Sequence, residues 1–169
     1  MAVVTVPGAL GQTVTLNYDS AANAGIASQL AASITAGVNA SSITPVSQGA
    51  GLPPALPAGT TGEFVQDRNG LTALPTGYAD VVNTARDAVI VGWGDASESI
   101  LSGGGKLTFV ATGGSGTVVG GTGGETVIIP GSDGGAWSIH TGGGDDRVLA
   151  LGGGNDTISA GAGRNEIAL

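Results

Sequence analysis

SGGGKLTFV (Ser102–Val110), TGGSGTVVG (Thr112–Gly120), GGTGGETVI (Gly120–Ile128), TGGGDDRVL (Thr141–Leu149), LGGGNDTIS (Leu151–Ser159) and AGAGRNEIA (Ala160–Ala168) share one design: a glycine cluster, then a short strand carrying a large apolar residue. The apolar residue returns at Phe109, Val118, Val127, Ile139, Val148, Ile158 and Ile167, in steps of 9, 9, 12, 9, 10 and 9. A fixed short period is the signature of a solenoid. Each unit of about nine residues holds a strand of three or four residues and a sharp turn, so two units close one flattened coil. Counting back by nines from Phe109 reaches Ile100 and Val91, so the register is expected to begin near Ala88. Eight anchors from Ile100 to Ile167 predict four coils, a stack of roughly 19 Å at a strand spacing of about 4.8 Å.

Composition agrees with thin stacked coils. The 169 residues include 33 glycines but are only 4% aromatic and 11% charged, too few bulky groups for a thick close-packed core. Five Lys and Arg against thirteen Asp and Glu give a formal charge of -8, which leaves no basic footprint for nucleic acid. Without cysteine, disulfides, thiolate catalysis and Cys-ligated zinc are excluded. No segment has the length of a signal peptide's apolar core or of a transmembrane helix. Export is therefore expected to use another route.

Ahead of the repeats, Val3–Val6 and Thr13–Tyr18 read as a hairpin turned at Pro7-Gly8 and Gly11. Asp19-Ser20 can cap a helix over Ala21–Val38, whose apolar stripe is Ile26, Leu30, Ile34 and Val38, widened by Ala27 and Ala31. The Pro- and Gly-rich run from Ala40 to about Thr61 reads as an extended connection that touches the body through Leu52 and Leu56. Glu63–Asp67 and Gly77–Val82 are weaker strand candidates, and Ala88–Val91 is a strong one ending at the turn Gly92-Trp93-Gly94. The expected organisation is a hairpin–helix cap (1–40), a connection (41–62) and a β-solenoid (63–169). The expected fold class is mainly β, a right-handed parallel β-solenoid with a small N-terminal hairpin and helix as its cap.

GGTGGETVI, TGGGDDRVL, LGGGNDTIS and AGAGRNEIA resemble the glycine-rich nonapeptide G-G-x-G-x-D-x-U-x of the repeats-in-toxin family, with Glu125, Asp146, Asp156 and Asn165 at the acidic place. The resemblance implies a secreted bacterial parallel β-roll, exported in one step, with Ca²⁺ held between turns by aspartates and backbone carbonyls. Counting half-coils puts Glu125, Asp146 and Asn165 on one edge and Gly116, Trp137 and Asp156 on the other. Leu107 and Gly116 stand where upstream ligands belong, so the early coils are expected to hold without metal. Calcium is then expected at one or two sites near the C-terminal end, among Glu125, Asp145, Asp146, Asp156 and Asn165. The plainer alternative is that Asp145, Asp146 and Asp156 cap turns.

No catalytic constellation can be built around His140, the single histidine, and no phosphate-loop or nucleophile-elbow motif occurs, so an enzyme is not expected. Trp93 and Trp137 sit beside glycine turns, where an aromatic can stack on a sugar or, more in keeping with the pattern, shield a coil edge. The repeat runs unbroken to Leu169. The expected function is a secreted structural protein assembling head-to-tail into an extracellular filament or surface layer. Ile158, Ile167 and Leu169 are the expected docking face, received by Val14 and Leu16 of the next copy. The alternative is a calcium-responsive folding or binding module of a larger exoprotein or adhesin.

Overall fold

A computed structural model describes residues 1–47, 52–92, 97–131 and 135–169. Trp93 and Gly94, and so the turn expected there, lie outside the described residues. Strands β1 (Ala2–Pro7) and β2 (Thr13–Tyr18) form an antiparallel hairpin, followed by helix α1 (Ala21–Asn39). The Ser20 hydroxyl accepts from the Asn23 amide at 3.1 Å, the expected N-cap.

The rest of the chain winds as a parallel β-solenoid. Its strands are β3 (Ile43–Ser47), β4 (Thr61–Gln66), β5 (Gly70–Ala73), β6 (Tyr78–Asn83), β7 (Asp87–Val91), β8 (Ser97–Ser102), β9 (Lys106–Val110), β10 (Ser115–Val119), β11 (Thr126–Ile129), β12 (Trp137–His140), β13 (Arg147–Ala150), β14 (Thr157–Ser159) and β15 (Glu166–Ala168). They alternate between a seven-stranded sheet, in the order β14-β12-β10-β8-β6-β4-β3, and a six-stranded sheet, in the order β15-β13-β11-β9-β7-β5.

The stack is thus six turns rather than four, and it starts at β3 rather than near Ala88. Two features hide the early coils from the periodicity. The register shifts between Gly62 and Glu63, and the early corners are held by amide side chains instead of glycine clusters. Asn69 Oδ1 accepts from the Arg86 and Asp87 amides, while Asn83 Oδ1 accepts from Ala85 and its amide donates to Ser102.

Inside the coil, Val81, Ile100, Val118, Ile139 and Ile158 share one column, and Ile90, Phe109, Val127, Val148 and Ile167 face them from the other sheet. All but the members from the last coil are buried. Trp137 belongs to this interior. Its ring lies over Gly116, with its centroid 5.5 Å from that of Phe109, and its indole N–H donates to the Gly114 carbonyl at 3.1 Å. It is buried within its own coil and so cannot stack on a sugar.

The hairpin and helix lie along one flank of the stack, not across an end. On the outer face of the seven-stranded sheet, Val65, Val82, Leu101 and Val119 form an apolar column buried under Val4, Val6, Leu16, Tyr18, Ala27, Ala31 and Ile34. The next residues in that column are the polar His140 and Ser159. The helix buries Ala24, Ala27, Ala31 and Ile34, whereas Ile26, Leu30 and Val38 are only partly covered. Small residues dominate because the helix must approach two surfaces at once, the hairpin and the sheet. At 19 residues it is about 28 Å long, close to the roughly 29 Å between the outermost strands of the seven-stranded sheet at about 4.8 Å spacing.

Three glycines make the seat for β2 and the residue after it. A Cβ at Gly103 would meet Leu16, one at Gly121 the Asn17 carbonyl oxygen, and one at Gly143 the Asp19 carboxylate. At the other end of the stack, β3 carries Pro45, and the Pro-rich run folds back. Tyr78 donates its hydroxyl to the Pro54 carbonyl at 2.7 Å, and Leu56 packs on the core while Leu52 stays exposed.

Candidate functional site: the acidic edges and the last coil

The strand register brings Glu125, Asp146 and Asn165 into one inward column, preceded by Leu107 and Ala88. The other edge aligns Glu98, Gly116, Trp137 and Asp156. The edge assignments read from the sequence therefore correspond to columns in space.

Within these columns the carboxylates and the amide bind backbone. Asn165 Oδ1 accepts from the Asp146 amide at 3.1 Å, and Asp146 Oδ1 accepts from the Glu125 amide at 2.8 Å. On the opposite edge, Asp156 Oδ1 accepts from the Trp137 amide at 2.9 Å. Asp145, outside the column, accepts from the Arg164 amide of the following coil at 2.9 Å. Each contact ties one coil to its neighbour at a corner where the ladder of strand hydrogen bonds is interrupted, and bonds to an ionised acceptor contribute about 1.5–3 kcal/mol each. Asp146 Oδ2 is also engaged, by the Thr141 hydroxyl at 2.6 Å, and the Asn165 amide donates to the Ala160 carbonyl at 2.8 Å.

A hard cation wants six to eight oxygens. Here the Asp146 oxygens are both turned to protein donors, and among the described residues no three Asp, Glu, His or Cys side chains stand close enough together to hold a metal. Asp145, Asp146 and Asp156 each accept a backbone N–H at a corner, as the capping reading expects.

Glu125 is the exception in the column. It is 0% exposed, and neither carboxyl oxygen has a hydrogen-bond partner among the described residues. Its carboxyl occupies space vacated across the coil by Gly120, where a Cβ would lie 2.8 Å from Glu125 Oε2. Burial, and then the Asp146 carboxylate, push its pKa up to about 10, so it is a neutral acid at pH 7. Tyr18, buried beside it, has its phenol pushed up by burial and by Glu125.

A second buried acid escaped the sequence reading. Glu63 in β4 is 0% exposed without a hydrogen-bond partner among the described residues, and burial, then Asp80, raise its pKa to about 8. Its place on a strand with an irregular register gave no periodic signal. His140, on the flank, contacts the Ser138 hydroxyl at 2.9 Å, and burial lowers its pKa.

The residues expected to form a docking face divide. In the last coil Ile158 is half-buried, Ile167 is 46% exposed and Leu169 is 83% exposed. Leu16 is fully buried between hairpin, helix and coil, and Val14 is partly buried, packing near Gly8. Leu16 therefore has no free surface to offer another copy, whereas Val14 keeps part of its own. No helix among the described residues is long and apolar enough to cross a membrane. No protein-family model matches the chain, and neither a curated protein nor a solved structure does.

Proposed function

We propose that the chain is a structural protein of the extracellular space that assembles through its solenoid ends, a second copy laying its coil against β14 and β15. The observation that carries this reading is the last coil. It keeps full register with the coil before it, yet its anchors Ile158 and Ile167 are incompletely covered, so one more coil would bury them. Edge strands invite such pairing. The two ends of the stack differ, which favours a directed, head-to-tail contact: β14 and β15 carry no proline, while β3 carries Pro45, which lacks an amide hydrogen and shortens the receiving ladder. The acidic composition and the resemblance to exported β-rolls support an extracellular setting.

Electron microscopy and sedimentation of the purified chain test the proposal. Filaments, or mass growing with concentration, are expected, and Ile158→Asp with Ile167→Asp should abolish them while leaving circular dichroism unchanged. Filaments that persist in the double variant would reject the last coil as the docking surface.

A further inference from the structure

We propose that the outer face of the six-stranded sheet is a two-fold self-association surface whose partner is a second copy of this chain, with the axis parallel to the strands and passing over β11. The inference does not depend on end-to-end assembly.

On this face the register aligns Ala73, Val91, Val110, Ile128, Leu149 and Ala168 in one column, every member half-buried. Neither hydrophobic core includes these residues. An uninterrupted apolar column on a flat sheet, about 24 Å long, is the counterpart of the one the helix and hairpin cover on the opposite sheet.

Charge identifies the partner. All five Lys and Arg residues of this acidic chain lie on, or within two residues of, the start of a strand of this sheet: Arg68, Arg86, Lys106, Arg147 and Arg164. Asp87 and Lys106 are register mates, and the same column continues two residues before β11, β13 and β15 through Gly124, Asp145 and Arg164. In stack order the column reads acid, base, glycine, acid, base. Turned over about an axis at the glycine, it opposes Asp87 to Arg164 and Lys106 to Asp145. The apolar column then meets itself, Ile128 on Ile128, Val110 on Leu149 and Val91 on Ala168. Arg147 and Glu166 already pair within their own chain at 3.5 Å. A two-fold contact requires one patch to be complementary to its own inverse, and this charge order meets that condition. Strands of five residues at most, at about 3.3 Å per residue, across a stack of about 24 Å make a face of roughly 400 Å², below the roughly 800 Å² per partner of a standard interface, so association should be weak and visible only at high protein concentration.

Thiol cross-linking of otherwise cysteine-free variants reads the register. Packed sheets lie about 10 Å apart, so a bis-maleimide of about that reach suits the geometry. Ile128→Cys should cross-link to itself, Val91→Cys alone should not, and a mixture of Val91→Cys with Ala168→Cys should. In sedimentation, Lys106→Glu should weaken dimerisation at least tenfold, and adding Asp145→Lys in the same chain should restore it. Efficient self-linking of Val91→Cys, failure of the double charge swap to rescue, or a monomer at millimolar concentration with normal circular dichroism would each overturn the proposal.

Discussion

The two broad faces of this solenoid carry equivalent apolar columns in different circumstances. Val65, Val82, Leu101 and Val119 on the seven-stranded sheet are sealed under the hairpin and helix, whereas Val91, Val110, Ile128 and Leu149 on the six-stranded sheet are half-buried, shielded mainly by their own neighbours. The columns themselves are alike, four aliphatic residues in register on each sheet. What differs is the seat beside them: Gly103 and Gly121 let β2 come into backbone contact with the coil corner, and Gly143 leaves room for the Asp19 carboxylate just after it. Covering a face therefore depends on the absence of side chains at a corner as much as on the apolar column itself.

The sharpest way to break this comparison is to make the same truncation on both faces. Leu101→Ala should cost about 2–5 kcal/mol in urea unfolding, because it leaves a cavity under the helix. Ile128→Ala should cost below about 1 kcal/mol in dilute protein, where nothing covers it. Equal losses would mean that both faces are covered.

The glycine seat provides the next test. Gly121→Ala puts a methyl 2.7 Å from the Gly104 nitrogen and 2.9 Å from the Asn17 carbonyl, and should destabilise by about 1–3 kcal/mol by levering the hairpin away. Gly153→Ala, with nothing within 4 Å of the new methyl, should be neutral or stabilising by a few tenths of a kcal/mol to about 1 kcal/mol. Thermal melts of the two variants distinguish a structural glycine from a merely periodic one.

The buried acids of the covered side make a smaller, pH-dependent prediction. Glu125 and Glu63 have raised pKa values, about 10 and about 8 against 4.5. Above pH 4.5 the unfolded chain releases protons that the folded chain keeps, so stability is full below about that pH and falls as pH rises through the folded values. Glu125→Gln should be neutral at pH 4 and stabilising by about 1–2 kcal/mol at pH 8, or roughly 3–6 °C in Tm. A flat pH profile for the parent chain would contradict the burial. The smallest effect concerns metal: millimolar Ca²⁺ should shift Tm by less than about 1 °C, since only a ligand bound to the folded state raises stability.

Much of this was legible in the repeats. The anchors from Ile100 to Ile158, the two edges and the helix cap at Ser20 are all where the pattern placed them, because inward strand positions and glycine corners recur with the coil. The early coils were not legible: β3 contains Pro45, β4 is displaced from register at Glu63, and Asn69 and Asn83 do the work of glycines there. At the acidic edges the sequence supplied the positions and left two roles open. The capping contacts are made to amides one coil away that no local spacing encodes, such as those of Glu125 and Trp137. The burial of Glu125 was equally hidden, since it depends on the gap at Gly120 and on Tyr18, 107 residues earlier in the chain.

Asn23 has a consequence for how the protein comes apart. Its side-chain amide reaches the carbonyl of Gly120 at 3.0 Å and that of His140 at 3.4 Å, near one end of a helix whose other end lies at β3. Repeat proteins ordinarily behave as chains of nearest-neighbour units that can fray or melt piecemeal. A stiff element pinned near both extremes of the stack couples distant repeats directly. In hydrogen exchange, amides from β3 to β13 should open together as one cooperative block, leaving only the coil of β14 and β15 to breathe on its own.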